Sequence, residues 1–407
     1  MFNKIIIDDI NFIIKELKHK TNINKLSNTN ILITGGTGLF GKSILNSLIC
    51  LRNEISFNIY ILTRNKHTFL NKYKEYNLNY IHFIEADIRS FTIKDINFDY
   101  IIHAATPASE QLEKENPDEM YSIILDGTKH IINITKNMDI RKLLFTSSGA
   151  VYGEQYEYIN SFDEDYDGNP ITYYGKAKKI SEQLFLETDL NISIARCFAF
   201  VGPYLNLNIH FAIGNFIRDV INNEDIIIKG NGTPLRTYMY TADLVLWLLT
   251  IMLESDNKKI YNVGASEAIS ILELAQKVSH SIPSYNGNIR ILTNFNESDK
   301  INKYIPNNTR IKEELNLKEN FTLDEAINRT FLFEEKRREE KRREEKRREE
   351  KRRELLISLI SLIYIIINYN QCYIKIISTG FLFKNLIRNN IFNNKVQKPI
   401  LNIRRQI

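Results

Sequence analysis

Cysteine is scarce in this chain of 407 residues: Cys50, Cys197 and Cys372 are odd in number and widely spaced. They make neither a disulfide framework nor a zinc site and suit a reducing cytoplasm, where the protein is expected to reside. No His/Cys/Asp cluster has the spacing of metal ligands, so no metal is expected. A secretory signal is also lacking, because Asp8 and Asp9 interrupt the first apolar run. Residues 1–28 read instead as an amphipathic helix leading into the first domain. Acidic residues stop at Glu354 while basic ones continue, so the formal net charge of +5 belongs to the tail and the body is net acidic. An acidic body gives no electrostatic reason to expect a nucleic-acid partner.

What the chain does have is an alternation of short apolar runs with helical stretches. The patterning predicts strands at 31–34, 59–63, 81–84, 100–104 and 143–147, with helices at 39–51 and 118–136 among them. Strands alternating with helices imply βαβ crossovers and a doubly wound parallel sheet of the α/β class. The strands are apolar throughout, as expected when helices cover both faces. Beyond them, helices are predicted near 173–187, 215–222, 241–253 and 323–333, with short strands at 192–197, 226–228 and 260–263.

Two local patterns carry chemistry. Thr34-Gly35-Gly36-Thr37-Gly38-Leu39-Phe40-Gly41 closes the first strand and opens the first helix. Backbone without Cβ at the positive end of a helix is what a dinucleotide pyrophosphate needs, so Gly35, Thr37, Gly38, Leu39, Phe40 and Gly41 are expected to bind the cofactor. The end of the next strand, Thr63-Arg64-Asn65, carries no acid for a ribose 2′-hydroxyl. Arg64 therefore favours NADP over NAD and leaves both open. The second pattern is Tyr174-Gly-Lys-Ala-Lys178, with Tyr and Lys four apart on one helix face, after a strand ending Thr146-Ser147-Ser148. A phenol titrates near ~10, and a neighbouring ammonium and an oxidised nicotinamide favour its ionised form and lower it. Ser148, Tyr174 and Lys178 thus form an expected proton-transfer set, with Tyr174 and Lys178 also facing the cofactor.

The chain resembles an extended short-chain dehydrogenase/reductase of the NAD-dependent epimerase/dehydratase family, the nucleotide-sugar modifiers. The resemblance rests on TGGTGLFG, EADIR at 85–89, HAATPAS at 103–109, TSSGAVYG at 146–153, YGKAK, RCFAFVGP at 196–203, GTPLRTYMYTADL at 232–244 and YNVG at 261–264. It implies a Rossmann domain over 29–200 and a smaller substrate-binding region over 201–333. It implies that Asp87 and Ile88 lie by the adenine, that Ala104 and Ala105 line the dinucleotide, and that Arg236 grips a substrate diphosphate. Ser148, Asn215 and Arg236 are the expected substrate contacts, and the partner is a nucleotide sugar. A homodimer through the helices near 118–136 and 173–187 is a family-level expectation. His103 is expected to pack rather than react, and Asp243 to be structural.

Two departures narrow the implied reaction. In the family's 4,6-dehydratases the active-site Thr is followed by Asp-Glu, and in its decarboxylases a Glu takes the second position. Here those positions are Gly149 and Ala150. Ala199 stands where the family often has a substrate-contacting Asn. The expectation is a 4-epimerase or 4-ketoreductase; the alternatives are a dehydratase or decarboxylase of the same family, or a silent dinucleotide sensor.

Residues 335–354 are four copies of Glu-Lys-Arg-Arg-Glu, within a charged segment at 334–354. Pairs at i,i+4 such as Glu339 and Arg343 would sustain a solvated helix, though a slipped DNA repeat explains the perfection as well. In the apolar and basic tail at 355–407, residues 355–374 are long enough to span a bilayer but carry Asn, Gln and Ser. Membrane partnership is expected only if that tail is an anchor; the other reading is disorder.

Overall fold

The computed structural model describes residues 3–106, 110–208, 211–293 and 300–378. Its strands in chain order are β1 (Asn30–Thr34), β2 (Asn58–Thr63), β3 (Ile81–Glu85), β4 (Tyr100–His103), β5 (Lys142–Ser148), β6 (Ile192–Cys197) and β7 (Phe200–Val201). Shorter ones follow: β8 (Ile226–Ile228), β9 (Leu235–Thr237), β10 (Met239–Tyr240), β11 (Lys259–Val263), β12 (Ala268–Ser270), β13 (Ile289–Ile291) and β14 (Lys303–Tyr304). The helices are α1 (Lys4–Lys20), α2 (Leu39–Leu51), α3 (Lys66–Lys72), α4 (Glu110–Glu115), α5 (Pro117–Thr135) and α6 (Tyr173–Leu186). After these come α7 (Ala212–Asn222), α8 (Thr241–Glu254), α9 (Ile271–His280), α10 (Thr309–Glu314) and α11 (Leu323–Ser378).

Seven strands form one parallel sheet in the order β11-β6-β5-β4-β1-β2-β3. The chain enters at β1, winds outward to β3, then returns to β4 and winds the other way. The order therefore reverses between β1 and β4, where a crevice opens beyond the carboxyl ends of the strands. Ile31, Leu32 and Ile33 of β1 are completely buried, so neither face of the centre meets water. The substrate half is built from fragments: a two-stranded β10-β7, a three-stranded β12-β9-β14 and a two-stranded β13-β8.

Asn116 caps α5, with Pro117 opening it, and Thr172 caps α6 by accepting from Gly175 N–H at 3.0 Å. That second cap places Tyr174 in the first turn of α6. At the N-terminus, α1 turns Ile5, Ile6, Ile10, Ile13 and Leu17 inward. Asp9 lies on the same buried face, where Tyr240 Oη donates to it at 2.6 Å and Arg329 Nη2 pairs with it at 2.5 Å. The acid that interrupts the first apolar run thus ties α1 to β10 and α11.

The chain divides into one compact unit at Met1–Lys336 and a second at Arg337–Ile407. The predicted last helix ends at 333, whereas α11 continues to Ser378. Pairs such as Arg343–Glu339 at 3.5 Å and Lys341–Glu345 at 3.7 Å run along the repeat, as its i,i+4 spacing predicts. Leu355, Ile357, Leu359 and Ile366 are exposed along the apolar stretch. Among the described residues no helix is long and apolar enough to cross a membrane. The tail beyond 378 and the last three residues of the 103–109 motif lie outside the described residues.

Candidate active site

Thr34 ends β1 beside His103 at the end of β4. Its hydroxyl contacts His103 Nδ1 at 2.8 Å and accepts from the N–H groups of Ala104 and Ala105 at 3.1 Å each. Gly35 follows with φ +74, and a Cβ there would lie 2.5 Å from Ala104 O, so glycine is required on both counts. Gly38 then caps α2 without any side-chain hydrogen bond to the first turn. The opening N–H groups of α2 thus face the crevice uncapped, beside a backbone that no Cβ obstructs. A dinucleotide pyrophosphate fits this cradle, with Thr37 and Leu39 at its rim. Phe40 instead anchors the loop, edge-on to Phe200 at 5.1 Å.

The adenosine end is organised by charge. Arg64 is exposed just after β2 and contributes to holding the Asp87 carboxyl below its usual range. The main cause is Arg89, which grips Asp87 in a fork at 2.8 and 3.0 Å and reaches Glu119 at 3.0 Å. Ile88 turns its side chain into the core, where Cγ1 would lie 3.0 Å from a Cβ on Gly127. What Ile88 offers an adenine is therefore its backbone.

The reacting end lies on β5 and α6. Tyr174, Lys178 and Glu182 follow one another at i, i+4 and i+8 and share a face of α6. Glu182 pairs with Arg196 of β6 at 2.7 Å and accepts from Ser147, a buried network that pins α6 to the sheet. Lys178 is 1% exposed; its Nζ donates to Thr106 Oγ1 at 2.7 Å and Thr146 O at 2.6 Å. Burial pulls the ammonium down to about 7. It lies 6.0 Å from the centre of the Tyr174 ring. Burial pushes the Tyr174 phenol up to about 12, opposed by the Ser148 hydroxyl; the expected lowering involves an oxidised nicotinamide as well as Lys178. Two of the three ammonium protons of Lys178 go to Thr106 and Thr146, and the third remains for what binds beside Tyr174. His103, held to about 3 by burial and stacked on Phe145 at 5.4 Å, is the neutral packing residue that was expected.

Arg236 on β9 is half-buried and donates to the carbonyls of Leu235 at 2.8 Å and Asn302 at 3.2 Å. Burial lowers its pKa, with Tyr238 and Tyr304 opposing, so the guanidinium sits among phenols, a setting that suits a phosphate. Asn215 on α7 accepts from Arg218 Nη1 at 3.0 Å. Asp243 accepts from the backbone of Asn320 and Phe321 at 2.8 and 3.1 Å and is structural. The described residues contain no group of acids, His and Cys able to hold a metal.

Three residues at the site escaped the sequence reading. Thr106 lay inside a quoted motif, and its hydroxyl beside Lys178 was the overlooked signal. Glu113 accepts from Tyr174 N–H at 3.3 Å, and its charge bears on the phenol. Tyr304 comes from β14, paired with β9 so that it lies opposite Arg236, and no local pattern marks it.

Comparisons with known proteins agree with this geometry. The model of the NAD dependent epimerase/dehydratase family matches residues 31–264. UDP-glucuronic acid decarboxylase 5 of Arabidopsis thaliana is 29% identical over 311 residues, spanning 74% of this chain and 88% of its own. UDP-glucuronic acid decarboxylase 1 of the same plant is 28% identical over 309 residues, spanning 74% and 68%. Among solved structures, UDP-glucose 4-epimerase from Thermotoga maritima superposes with a TM-score of 0.65 at 22% identity, over 75% of this chain and 99% of its own. At that identity it establishes the fold alone.

Proposed function

We propose that this chain, which belongs to the NAD dependent epimerase/dehydratase family, is a nucleotide-sugar 4-epimerase or 4-ketoreductase that works by Tyr174-assisted hydride transfer at a sugar carbon. The observation that carries the reading is the lack of room beside Gly149. A Cβ there would lie 2.6 Å from the Tyr304 hydroxyl, so an uncharged phenol fills the place next to Ser148. Gly149 and Ala150 offer no carboxyl for elimination or ring chemistry, and what remains is oxidation and reduction of a carbinol.

NAD held at Gly35–Gly41 would supply the hydride acceptor and donor. Tyr174 takes the proton of the sugar hydroxyl as its carbon is oxidised and returns it on reduction. Ser148 hydrogen-bonds the same oxygen. Lys178, fixed by Thr106 and Thr146, supplies a positive field beneath Tyr174. Arg236 binds the nucleotide diphosphate and thereby sets which sugar carbon meets Tyr174. Arg64, exposed just after β2, would suit a 2′-phosphate, so NADP is to be tested beside NAD.

A second reading, decarboxylation, is supported by the curated relatives, which bear that activity in their names. Glu113 is a carboxylate near Tyr174 on which it would draw. One assay separates the readings. The full chain is given NAD and, in turn, a panel of UDP-, dTDP-, CDP- and GDP-hexoses and UDP-glucuronic acid, with products read by NMR. The proposal expects a 4-epimer without net cofactor reduction, or, when reduced cofactor and a 4-keto nucleotide sugar are supplied instead, a 4-hydroxy product with stoichiometric consumption of the reduced cofactor. Release of carbon dioxide and a pentose product from UDP-glucuronic acid would replace it with the second reading.

A further inference from the structure

Arg196 and Glu182 form a buried ion pair behind the reacting side chains, 8% and 2% exposed. Arg196 Nη2 donates to Glu182 Oε2 at 2.7 Å, and Nε bridges both carboxylate oxygens at 3.1 Å. The remaining bonds of the pair reach both flanks of Ser148. Ser147 donates its hydroxyl to Glu182, while Arg196 Nη1 donates to Tyr152 Oη at 3.0 Å and to Glu164 O at 2.9 Å. We propose that Arg196 and Glu182 are positioning residues: they set Tyr174 and Lys178 against Ser148, and they contribute that geometry rather than net stability. This rests on the reading of Ser148, Tyr174 and Lys178 as the reacting set.

The pair acts as a bracket. Ser147 lies opposite Arg196 in the register of β5 with β6, and Ser148 is the next residue. Ser148 caps the short 3-10 turn Gly149–Tyr152, so Tyr152 closes the turn that Ser148 opens. Glu182 shares a face of α6 with Tyr174 and Lys178. One end of the bracket therefore holds the helix that carries Tyr174, and the other holds the chain on both sides of Ser148. Arg196 uses all its side-chain nitrogens and Glu182 both its oxygens, so neither can turn without breaking a buried bond. Stability alone does not account for such a pair. Taking two charges out of water offsets most of their attraction, and apolar replacement of a buried ion pair is often neutral or stabilising. A reacting set, by contrast, has to be held within roughly 0.5 Å. An error of about 1 Å can cost 10²-fold in rate.

The test is made on the full-length protein. Glu182→Leu with Arg196→Met removes the pair, and Ser147→Ala accompanies them so that no buried serine hydroxyl loses its acceptor. Tyr152 keeps Asn262, to which it donates at 2.7 Å. The triple variant is expected to fold with a Tm within about 4 °C of wild type. Crystal structures of the two should differ by at least about 0.5 Å in the separation of Tyr174 Oη from Ser148 Oγ. On a nucleotide sugar that wild type turns over, kcat should fall about 10²-fold, with KM and the NAD dissociation constant within about twofold. Arg196→Lys keeps the charge but not the fork that reaches Tyr152, and should lower kcat about tenfold at unchanged KM. An unchanged separation in the folded triple variant overturns the proposal, as does Arg196→Lys working at the wild-type rate. Loss of folding in the triple variant overturns it too, because the pair would then be holding the fold. Absence of any nucleotide-sugar product would count against the proposed function and leave the separation to decide this inference.

Discussion

The two halves of the active-site crevice are built by different rules. The cofactor half is made of contiguous chain: Gly35 to Gly41 form the cradle, and the conformations that bind phosphate are set by backbone. The reacting half converges from β5, α6, β9 and β14, so Ser148, Tyr174, Arg236 and Tyr304 meet only through the tertiary register. A backbone site fails when a Cβ is added where the chain closes on itself, as at Gly35 or Gly41. A convergent site fails one function at a time.

The largest expected effect tests that modularity at the proton. Tyr174→Phe should lower kcat about 10²–10⁴-fold while leaving the NAD dissociation constant within about twofold, read by steady-state kinetics and calorimetry. The converse holds for Gly35→Ala. It places a side chain at φ +74 and against Ala104 O, strain of order 1–3 kcal/mol. NAD affinity should fall at least about tenfold, with a lower Tm.

A third break is pH. The Tyr174 phenol lies at about 12 before anything binds, above any ordinary assay pH, so the base form is the minor one. Each unit of rising pH then enlarges the phenolate tenfold. In the oxidation direction log kcat should therefore rise with slope near +1 below about pH 7 and less steeply above it, where Lys178, held at about 7, loses the charge that favours the phenolate. In the reduction direction the protonated phenol is the acting form and is already abundant, so the rate should be flat across the same window. Equal slopes in both directions would remove Tyr174 from the role.

Arg236→Lys should raise the nucleotide-sugar KM about tenfold and change kcat little, since an ammonium replaces the guanidinium fork. The smallest effect is expected from truncation after Lys336, at the boundary between the two compact units. Turnover and KM should remain within about twofold of the full chain.

Legibility in the sequence follows the same division. The glycine loop and the Tyr174–Lys178 spacing are short-range patterns, and the strands of the large sheet are continuous apolar runs, so both could be read from residues alone. Of the short strands of the substrate half, β8 is legible as an apolar run at 226–228, whereas the others, two or three residues each, are too brief to show any period. Tyr304 could not be found because its meaning comes from pairing with Arg236 across more than sixty residues of chain. The helix α9 was legible but passed over: Ser270 and Glu273 make a capping box, with Glu273 N–H bonded to Ser270 Oγ at 3.1 Å. How Lys178 is held beside Tyr174 is not legible either. Spacing places two side chains on one face, but it does not say that Thr106 and Thr146 take the ammonium first.

The most direct test of the central claim uses a nucleotide sugar deuterated at the carbon that is oxidised, turned over with NAD by wild type and by Tyr174→Phe. The account predicts 4-epimer with the deuterium retained at that carbon in wild type, or its transfer to cofactor in net oxidation, and loss of turnover in Tyr174→Phe. Product formed at the wild-type rate by Tyr174→Phe, or deuterium washed out to solvent, would contradict it.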